Sequence, residues 1–176
     1  MTDFVKYTPL GCLKIELTDN KLSGCRWMNE DGVKEVVSDE RIETTEILSE
    51  IIGQLDDYFC GSLKAFDVPL FLEGTEFEKK VWNELLKISY GETVTYKEIA
   101  IRIGRPGAVR AVGMACKRNP VGVYVPCHRV VSAGGKPGGY NGGVERKLAL
   151  LEMEYNNLLA NKHICLPKLN KPFPIP

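Results

Sequence analysis

The sequence is poor in the residues that build metal centres, membrane spans and disulfide frameworks. It has two histidines, and its six cysteines are scattered, with no Cys-x-x-Cys pair. This pattern excludes the common zinc motifs and argues against a disulfide framework. No apolar run approaches the roughly 18 residues that a membrane helix needs, and the first residues lack the basic and apolar regions of a signal peptide. We therefore expect an intracellular globular protein with no membrane partner.

Net charge is also lacking, since the 176 residues include 23 basic and 23 acidic side chains, but the charges are unevenly distributed. Acidic residues dominate the first 75 positions. No acidic residue occurs from Ile99 to Val144, whereas this stretch holds seven basic residues: Arg102, Arg105, Arg110, Lys117, Arg118, Arg129 and Lys136. A block of one sign is typical of a surface that binds a polyanion such as nucleic acid, although a solvated face has the same composition.

The first part of the chain predicts strands followed by a helix. Apolar and polar residues alternate over Leu13–Leu17 and again near Cys25–Met28, which indicates antiparallel strands. An amphipathic helix is predicted from about Glu40 to Phe59, with Phe59 on its apolar face. One more extended segment is predicted over Phe66–Leu72, and Gly74 is the candidate domain boundary.

The pattern after Gly74 changes to helices interrupted by glycine and proline. Two capping boxes, Thr75 with Glu78 and Thr95 with Glu98, predict helices that end near residues 88 and 103. A third helix is predicted from Ala108 to about Arg118. A helix, a tight turn and a second helix form the outline of a helix-turn-helix unit.

The remainder of the chain predicts a strand, a loop and a helix. Val121–Val125 favours a short strand, Ser132–Gly143 a glycine-rich loop, and Val144 to about Tyr155 a last helix. The last eleven residues contain four prolines and cannot form a regular helix or sheet.

These elements predict an α+β protein. We expect residues 1–73 to form a small N-terminal α/β domain with antiparallel strands. Residues 74–165 form a mostly helical, winged-helix-like domain that carries the helix-turn-helix, and residues 166–176 form a proline-rich tail.

The third predicted helix has two different faces. One face is apolar and should contact a core: Val109, Val112 and Cys116. The other combines cationic and small residues: Arg110, Ala111, Gly113, Met114 and Lys117. Small residues allow a backbone to approach a partner closely, whereas a solvated helix face is the alternative interpretation.

One cysteine differs from the others in its neighbours. Cys127 is followed directly by His128 and Arg129. A free thiol, with a pKa of about 8.5, needs a base or a nearby cation to become a nucleophile at neutral pH. Consecutive side chains on a strand point to opposite faces, so a turn at Pro126 or a bridging water is required to link Cys127 with His128. The dipeptide alone leaves a catalytic and a structural cysteine open.

From Gly74 to Glu154 the sequence resembles the C-terminal domain of the O6-alkylguanine-DNA alkyltransferases, also called methylated-DNA–protein-cysteine methyltransferases. The resemblance is carried by Gly74-Thr75-x-Phe77, Val81-Trp82, Tyr90-Gly91-Glu92-Thr93, Tyr96, Ala100, Arg110-Ala111-Val112-Gly113, Asn119-Pro120, Pro126-Cys127-His128-Arg129-Val130, Gly139-Tyr140, Gly142-Gly143, Lys147, Leu150-Leu151 and Glu154. The first 73 residues match only loosely.

The resemblance implies repair of O6-alkylguanine, and of O4-alkylthymine, in double-stranded DNA by one irreversible transfer of the alkyl group to Cys127. It implies that His128 holds the thiol proton through a water and that Glu154 orients and stabilises the imidazolium. Asn119 braces the turn that carries Cys127, and Tyr96 donates to the leaving guanine. No cofactor is implied, and we expect a monomer in the cytoplasm, or in the nucleus of a eukaryotic host.

The same resemblance implies residues that contact DNA and the extruded base. Arg110 fills the space that the flipped nucleotide leaves, and the DNA-binding residues are Arg110, Ala111, Gly113, Met114, Lys117, Arg118 and Arg129. The substrate-binding residues are Val130, Tyr140, Asn141 and Lys147. Base extrusion costs a few kcal/mol, which such contacts must offset.

This sequence departs from the family pattern at a few positions. Cys116 replaces a longer apolar residue in the third helix, and Asn141 replaces a small residue in the loop. No histidine precedes His128, so the N-terminal zinc site of some relatives is not expected. Three alternative functions remain: a sensor that binds the lesion without repairing it, a winged-helix DNA-binding regulator with an inert Cys127, and a cysteine hydrolase.

Overall fold

The computed structural model describes residues 2–29 and 45–161, and it begins with a three-stranded antiparallel sheet. The strands are β1 (Thr2–Thr8), β2 (Gly11–Thr18) and β3 (Lys21–Trp27), in the order β1-β2-β3. Alternate side chains of β2 are buried at positions 13, 15 and 17, as the period of a strand requires. The two predicted strands are therefore confirmed, within β2 and β3.

Helix α1 (Glu46–Phe59) follows and packs on the core. It begins at Thr45, whose side chain accepts from the Leu48 backbone N–H. Its buried residues recur at intervals of three and four: Leu48, Ile51, Leu55 and Tyr58. Phe59 is half-buried and packs against the core, as the apolar pattern predicts, and Tyr58 beside it is fully buried. The predicted first turns, residues 40–44, lie outside the described residues.

The helix-turn-helix is present where the sequence predicts it. The three helices are α2 (Glu76–Leu85), α3 (Tyr96–Arg102) and α4 (Val109–Lys117). Both capping boxes are formed, because Thr75 and Thr95 each exchange hydrogen bonds with the glutamate three residues on. Gly104 turns the chain between α3 and α4 with a φ of 72°, a conformation that glycine adopts without strain.

The predicted strand over Val121–Val125 is wrong, since this segment is a series of tight turns. Val121 makes one isolated parallel bridge with Cys25. The chain then turns back, so that the Val125 N–H donates to the Val121 carbonyl at 3.0 Å. Val123 has a φ of 71°, which no strand accommodates and which strains a β-branched residue. The apolar run is explained by burial instead, because residues 121, 123, 124 and 125 are all core residues.

Two short strands and one long helix complete the fold. Strands β4 (Val94–Thr95) and β5 (Val130–Val131) pair in parallel. Helix α5 (Val144–Asn161) is longer than predicted. Its buried positions are Lys147, Leu150 and Glu154, whereas Leu148 is 44% exposed, so a lysine and a glutamate are directed into the core.

Residues on both sides of Gly74 contribute to one hydrophobic core. Strand β3 also bonds directly to the later part of the chain, because Cys25 N–H donates to the Pro120 carbonyl at 2.9 Å. The predicted extended segment near Phe66–Leu72 contacts the same sheet through Leu22, whose N–H donates to the Pro69 carbonyl. No helix within the described ranges has the length and apolar character needed to cross a membrane.

Candidate active site

Cys127 begins a single turn of 3-10 helix, Cys127–Arg129, at the end of the tight turns described above. The Asn119 side chain holds this turn: its amide donates to the Val125 carbonyl at 2.8 Å and to Cys127 Sγ at 3.2 Å. Its carbonyl oxygen accepts from the Val121 N–H at 3.1 Å. One buried asparagine therefore ties both ends of the irregular segment to the thiol.

The Cys127 thiol is protonated in the resting protein. Burial raises its pKa, and the Asn119 hydrogen bond and the Lys147 charge offset this effect only in part. Burial also raises the pKa of Cys116, to about 12. A nucleophilic role for Cys127 therefore depends on a base that removes its proton, and not on a low intrinsic pKa.

His128, the next residue along the chain, is bonded to a carboxylate. Its Nε2 lies 2.9 Å from Glu154 Oε1, and both side chains are fully buried. An ionised Glu154 fixes the imidazole proton on Nε2, which leaves Nδ1 as the basic nitrogen. Nδ1 is buried and has no hydrogen-bond partner among the residues that the structure describes. Burial lowers the pKa of His128 and Glu154 opposes this only in part, so His128 is neutral and can accept a proton.

Glu154 lies at the centre of a network of donors. Oε1 accepts from Tyr58 Oη at 2.6 Å and from Arg129 Nη2 at 2.9 Å. Oε2 accepts from the Gly91 N–H at 2.9 Å and from Arg129 Nε at 3.0 Å. Burial raises the pKa of Glu154, but His128 and Arg129 together hold it well below its usual range. The carboxylate therefore stays ionised at the core of the protein.

The geometry contradicts the expectation that Arg129 binds DNA. Its side chain is buried, with a total exposure of 6%. The guanidinium is bonded to both oxygens of Glu154, and Nη1 donates to the Ile88 carbonyl at 2.7 Å. A buried carboxylate needs a paired cation, and Arg129 supplies this charge instead of contacting a phosphate.

Tyr96 and Lys147 lie close to one another, with Lys147 Nζ 5.9 Å from the centre of the Tyr96 ring. Burial raises the pKa of Tyr96 to about 12, so its hydroxyl remains a donor at neutral pH. Lys147 is fully buried, and its ammonium donates to the Val130 carbonyl at 2.5 Å and lies 3.5 Å from the Gly139 carbonyl. In this structure Lys147 thus contacts the protein, where the sequence predicts a contact with substrate.

Two more predicted substrate residues, Tyr140 and Asn141, lie in the glycine-rich segment, whereas Val130 is fully buried in β5. The hydroxyl of Tyr140 accepts from the Trp27 indole at 3.2 Å, and Asn141 is exposed. Gly138 has a φ of 67°, and a Cβ there would lie 3.0 Å from the Tyr96 hydroxyl. The backbone can therefore approach Tyr96 only because this residue is glycine.

The predicted DNA-binding face of α4 is exposed to solvent. Its exposed residues are Arg110, Ala111, Met114, Lys117 and the neighbouring Arg118, and Gly113 is half-buried. Arg118 also pairs with Glu78 at 3.1 Å. The opposite face is buried at Val112 and Cys116, as predicted. Six of the seven basic residues in the block from Ile99 to Val144 are exposed, and the exception is Arg129.

Sequence reasoning missed three residues of this site: Tyr58, Gly91 and Trp27. Tyr58 follows Leu55 by three residues on the apolar face of α1, and a buried tyrosine hydroxyl needs a polar partner. That signal indicates a buried hydrogen bond but does not identify Glu154 as the acceptor. Among the residues that the structure describes, no three His, Cys, Asp or Glu side chains are grouped as a metal site.

Comparison with known proteins agrees with this geometry. Residues 76–156 match the family described as 6-O-methylguanine DNA methyltransferase, DNA binding domain. A methylated-DNA–protein-cysteine methyltransferase of Methanosarcina acetivorans is 47% identical over 148 residues, which cover 84% of this chain and 94% of that protein. A protein of the same name from Mycobacterium leprae is 53% identical over 113 residues, covering 64% of this chain and 68% of that protein.

Solved structures extend the similarity to the N-terminal part. The crystal structure of Mycobacterium tuberculosis O6-methylguanine methyltransferase has a TM-score of 0.76 and 42% identity, covering 88% of this chain and 93% of that chain. Mycobacterium tuberculosis OGT in complex with DNA has a TM-score of 0.75 and 42% identity, covering 87% and 92%. With a buried Cys127 beside His128 and Glu154 on this fold, the chain belongs to the methylated-DNA–protein-cysteine methyltransferase family.

Proposed function

We propose that this protein repairs DNA by transferring the alkyl group of O6-alkylguanine to Sγ of its own Cys127. O4-alkylthymine is a second substrate of the same type, because its alkyl group is also bonded to an exocyclic oxygen. The observation that carries the proposal is the buried pair His128–Glu154, directly after Cys127 in the chain, whose imidazole Nδ1 has no hydrogen-bond partner within residues 2–29 and 45–161.

The reaction is a direct displacement. The thiol proton passes through a water to Nδ1 of His128, and Glu154 stabilises the resulting imidazolium. The Sγ atom then forms a bond to the alkyl carbon while the bond from that carbon to guanine O6 breaks, and its electron pair stays with guanine. The Tyr96 hydroxyl donates a hydrogen bond to the leaving base, and the proton that His128 took from the thiol passes through solvent to that base. The overall charge is therefore unchanged.

The alkylated base must leave the duplex to reach Cys127, because this residue is buried, with 5% of its surface exposed. The exposed face of α4 presents Arg110 beside the small residues Ala111 and Gly113. We assign Arg110 to the gap that the flipped nucleotide leaves and the other exposed cations to phosphate contacts. The carbonyl of Val130 and the segment with Tyr140 and Asn141 line the base.

The product is a thioether, which neutral water does not hydrolyse, so each molecule reacts once. The lesion is the alkyl donor and Cys127 the acceptor, and the proposed reaction uses no cofactor. We expect the protein to act as a monomer. It should be located where the DNA is, in the cytoplasm of a prokaryote or in the nucleus of a eukaryotic host.

The test is incubation with duplex DNA that carries a labelled methyl group on guanine O6. We expect one label per protein molecule at most, located on Cys127 by mass spectrometry, and no label on a Cys127→Ser variant. Binding without label supports a lesion sensor, and turnover of an acyl substrate supports a hydrolase. An adduct on Cys116 or Cys60 in comparable yield contradicts the assignment of Cys127.

A further inference from the structure

A tyrosine from the N-terminal part of the chain enters the buried network around His128. Tyr58 lies in the last turn of α1 and has no exposed surface. Its hydroxyl donates to Glu154 Oε1 at 2.6 Å and lies 3.5 Å from His128 Nε2. Its ring is fixed against Tyr90, with the ring centres 5.8 Å apart and an interplanar angle of 81°. The hydroxyl is therefore held at the point where His128 and Glu154 meet.

His128 contacts Oε1 of Glu154. The other hydrogen-bond donors to Oε1 therefore determine the position and orientation of this oxygen relative to the imidazole. It accepts from Tyr58 and from Arg129, while Oε2 accepts from Gly91 and Arg129. Burial, and then the charge of Glu154, raise the pKa of Tyr58 well above its ordinary value. The phenol is therefore a permanent neutral donor, whose contribution does not vary with pH over the working range.

We propose that Tyr58 is a positioning residue for alkyl transfer, which holds the Glu154 carboxylate so that His128 Nε2 donates to it and Nδ1 is left as the base for Cys127. This assignment rests on the alkyl transfer proposed above. It places one member of the reaction machinery on α1, outside the residues 76–156 that match the family model.

Loss of the Tyr58 hydroxyl has two expected effects. The carboxylate loses a donor that fixes its orientation, which slows proton transfer from Cys127. Its negative charge is also less well balanced, which favours the imidazolium and raises the pKa of His128. In the described part of the chain, the other groups that face His128 are Glu154 and Lys147 from α5, Arg129 from its own turn, and the ring of Tyr140. Tyr58→Phe replaces none of these residues, so a shift in the pKa of His128 reports the lost hydrogen bond to Glu154.

The experiment compares Tyr58→Phe with Tyr124→Phe in single-turnover reactions with free O6-benzylguanine. Tyr124 is the matched control because it is also buried and its hydroxyl also donates one hydrogen bond, to the Ile51 carbonyl at 2.8 Å; among the described residues it has no hydrogen bond to Glu154. We expect Tyr58→Phe to react roughly tenfold more slowly, the effect of one hydrogen bond to a charged group. The acidic limb of its rate–pH profile should move to higher pH, and Tyr124→Phe should keep the wild-type profile.

A double-variant comparison separates positioning from packing. If Tyr58 acts through the carboxylate, Tyr58→Phe should slow a Glu154→Gln protein by less than about twofold, because interacting residues are not additive. Three results overturn the proposal: Tyr58→Phe slows the Glu154→Gln protein by the same factor as the wild type, it leaves the acidic limb of the rate–pH profile in place, or it reacts at the wild-type rate.

A measurement on the unchanged protein covers the case in which Tyr58→Phe does not fold. In the wild-type protein, the Tyr58 hydroxyl proton should give a slowly exchanging NMR resonance with a cross-peak to the Nε2 proton of His128. If the folded protein shows no such cross-peak, the proposal is overturned. A wild-type protein that does not react with benzylguanine or alkylated DNA contradicts the proposed function instead, so the two failures are distinguishable.

Discussion

The indole N–H of Trp27 donates to the hydroxyl of Tyr140 at 3.2 Å, across 113 residues of chain. The indole also covers Gly142, where an added Cβ would overlap the Trp27 ring. Arg146 also contacts Trp27: its guanidinium lies 5.1 Å from the centre of the Trp27 ring, and its Nε donates to the Leu10 carbonyl at 3.0 Å. Strand β3 therefore holds the glycine-rich segment that is proposed to line the alkylated base.

Gly142→Ala should disturb this contact. The added methyl group forces the Trp27 ring or the loop to move, at a cost of about 1–3 kcal/mol in the free energy of unfolding, and should slow the reaction with free benzylguanine. Gly139→Ala is the matched control, because a Cβ at position 139 meets nothing within 4 Å. Urea unfolding and single-turnover rates measure both effects, and equal behaviour of the two variants contradicts the role of Trp27.

Gly91→Ala should weaken the Glu154 network. Gly91 has a φ of 74°, its N–H donates to Glu154 Oε2, and an added Cβ would overlap the Leu158 side chain. Gly104→Ala has nearly the same backbone strain, with a φ of 72°, but its Cβ meets nothing within 4 Å. Gly104→Ala should therefore cost about 1 kcal/mol of unfolding free energy. Gly91→Ala should cost more and also slow alkyl transfer, and an unchanged transfer rate argues against a role for the Gly91 hydrogen bond.

Arg110→Ala should slow repair in duplex DNA and leave the reaction with free benzylguanine unchanged. A free base needs no extrusion, whereas in duplex DNA each 1.4 kcal/mol of lost stabilisation of the flipped state costs about tenfold in rate. Arg105→Ala removes an equal charge from the turn before α4 and serves as the control. If Arg110→Lys restores full duplex activity, or if the defect disappears at low salt, Arg110 is a phosphate contact and not a plug.

DNA binding should depend on salt and little on sequence. Each phosphate neutralised by an exposed lysine or arginine should contribute roughly 0.9 to the slope of log affinity against log salt. Lys117→Ala should therefore lower the slope by about that amount. Binding titrations between low and moderate salt on undamaged duplexes test this expectation, and a slope that does not change on removal of exposed cations contradicts it.

The rate of alkyl transfer should fall at acidic pH, through protonation of His128. Burial lowers the pKa of His128 below its ordinary value of 6.5 and Glu154 offsets this only in part. Above that lowered pKa the imidazole is neutral and accepts the thiol proton; below it Nδ1 is already protonated and the transfer stops. The acidic limb measured with free benzylguanine should therefore be centred below pH 6.5, and a limb centred above this value contradicts a neutral, buried His128 as the base.

Local patterns determined most of the helices and part of the site. Two capping boxes and apolar spacing located α2 and α3, because such signals depend on residues three or four apart. The His128 and Arg129 neighbours distinguished Cys127 from five other cysteines, and the family motifs assigned the proton-transfer partners. Alternation of side chains also identified β2, since one face of a strand must be buried while the other meets solvent.

The tertiary structure decided every feature that depends on contacts between distant residues. The run Val121–Val125 has the composition of a strand, but Asn119 and Cys25 bind its backbone and impose turns. Arg129 belongs to a basic block whose other members are exposed, but Arg129 itself is buried in a pair with Glu154. An ionised carboxylate away from water requires a paired cation. The sequence by itself therefore indicated Cys127 as the candidate nucleophile and located most of the helices. Only the packing of α1 and α5 against the Cys127 turn decided which side chains complete the network around it, since burial and hydrogen bonding across long stretches of chain leave no local pattern.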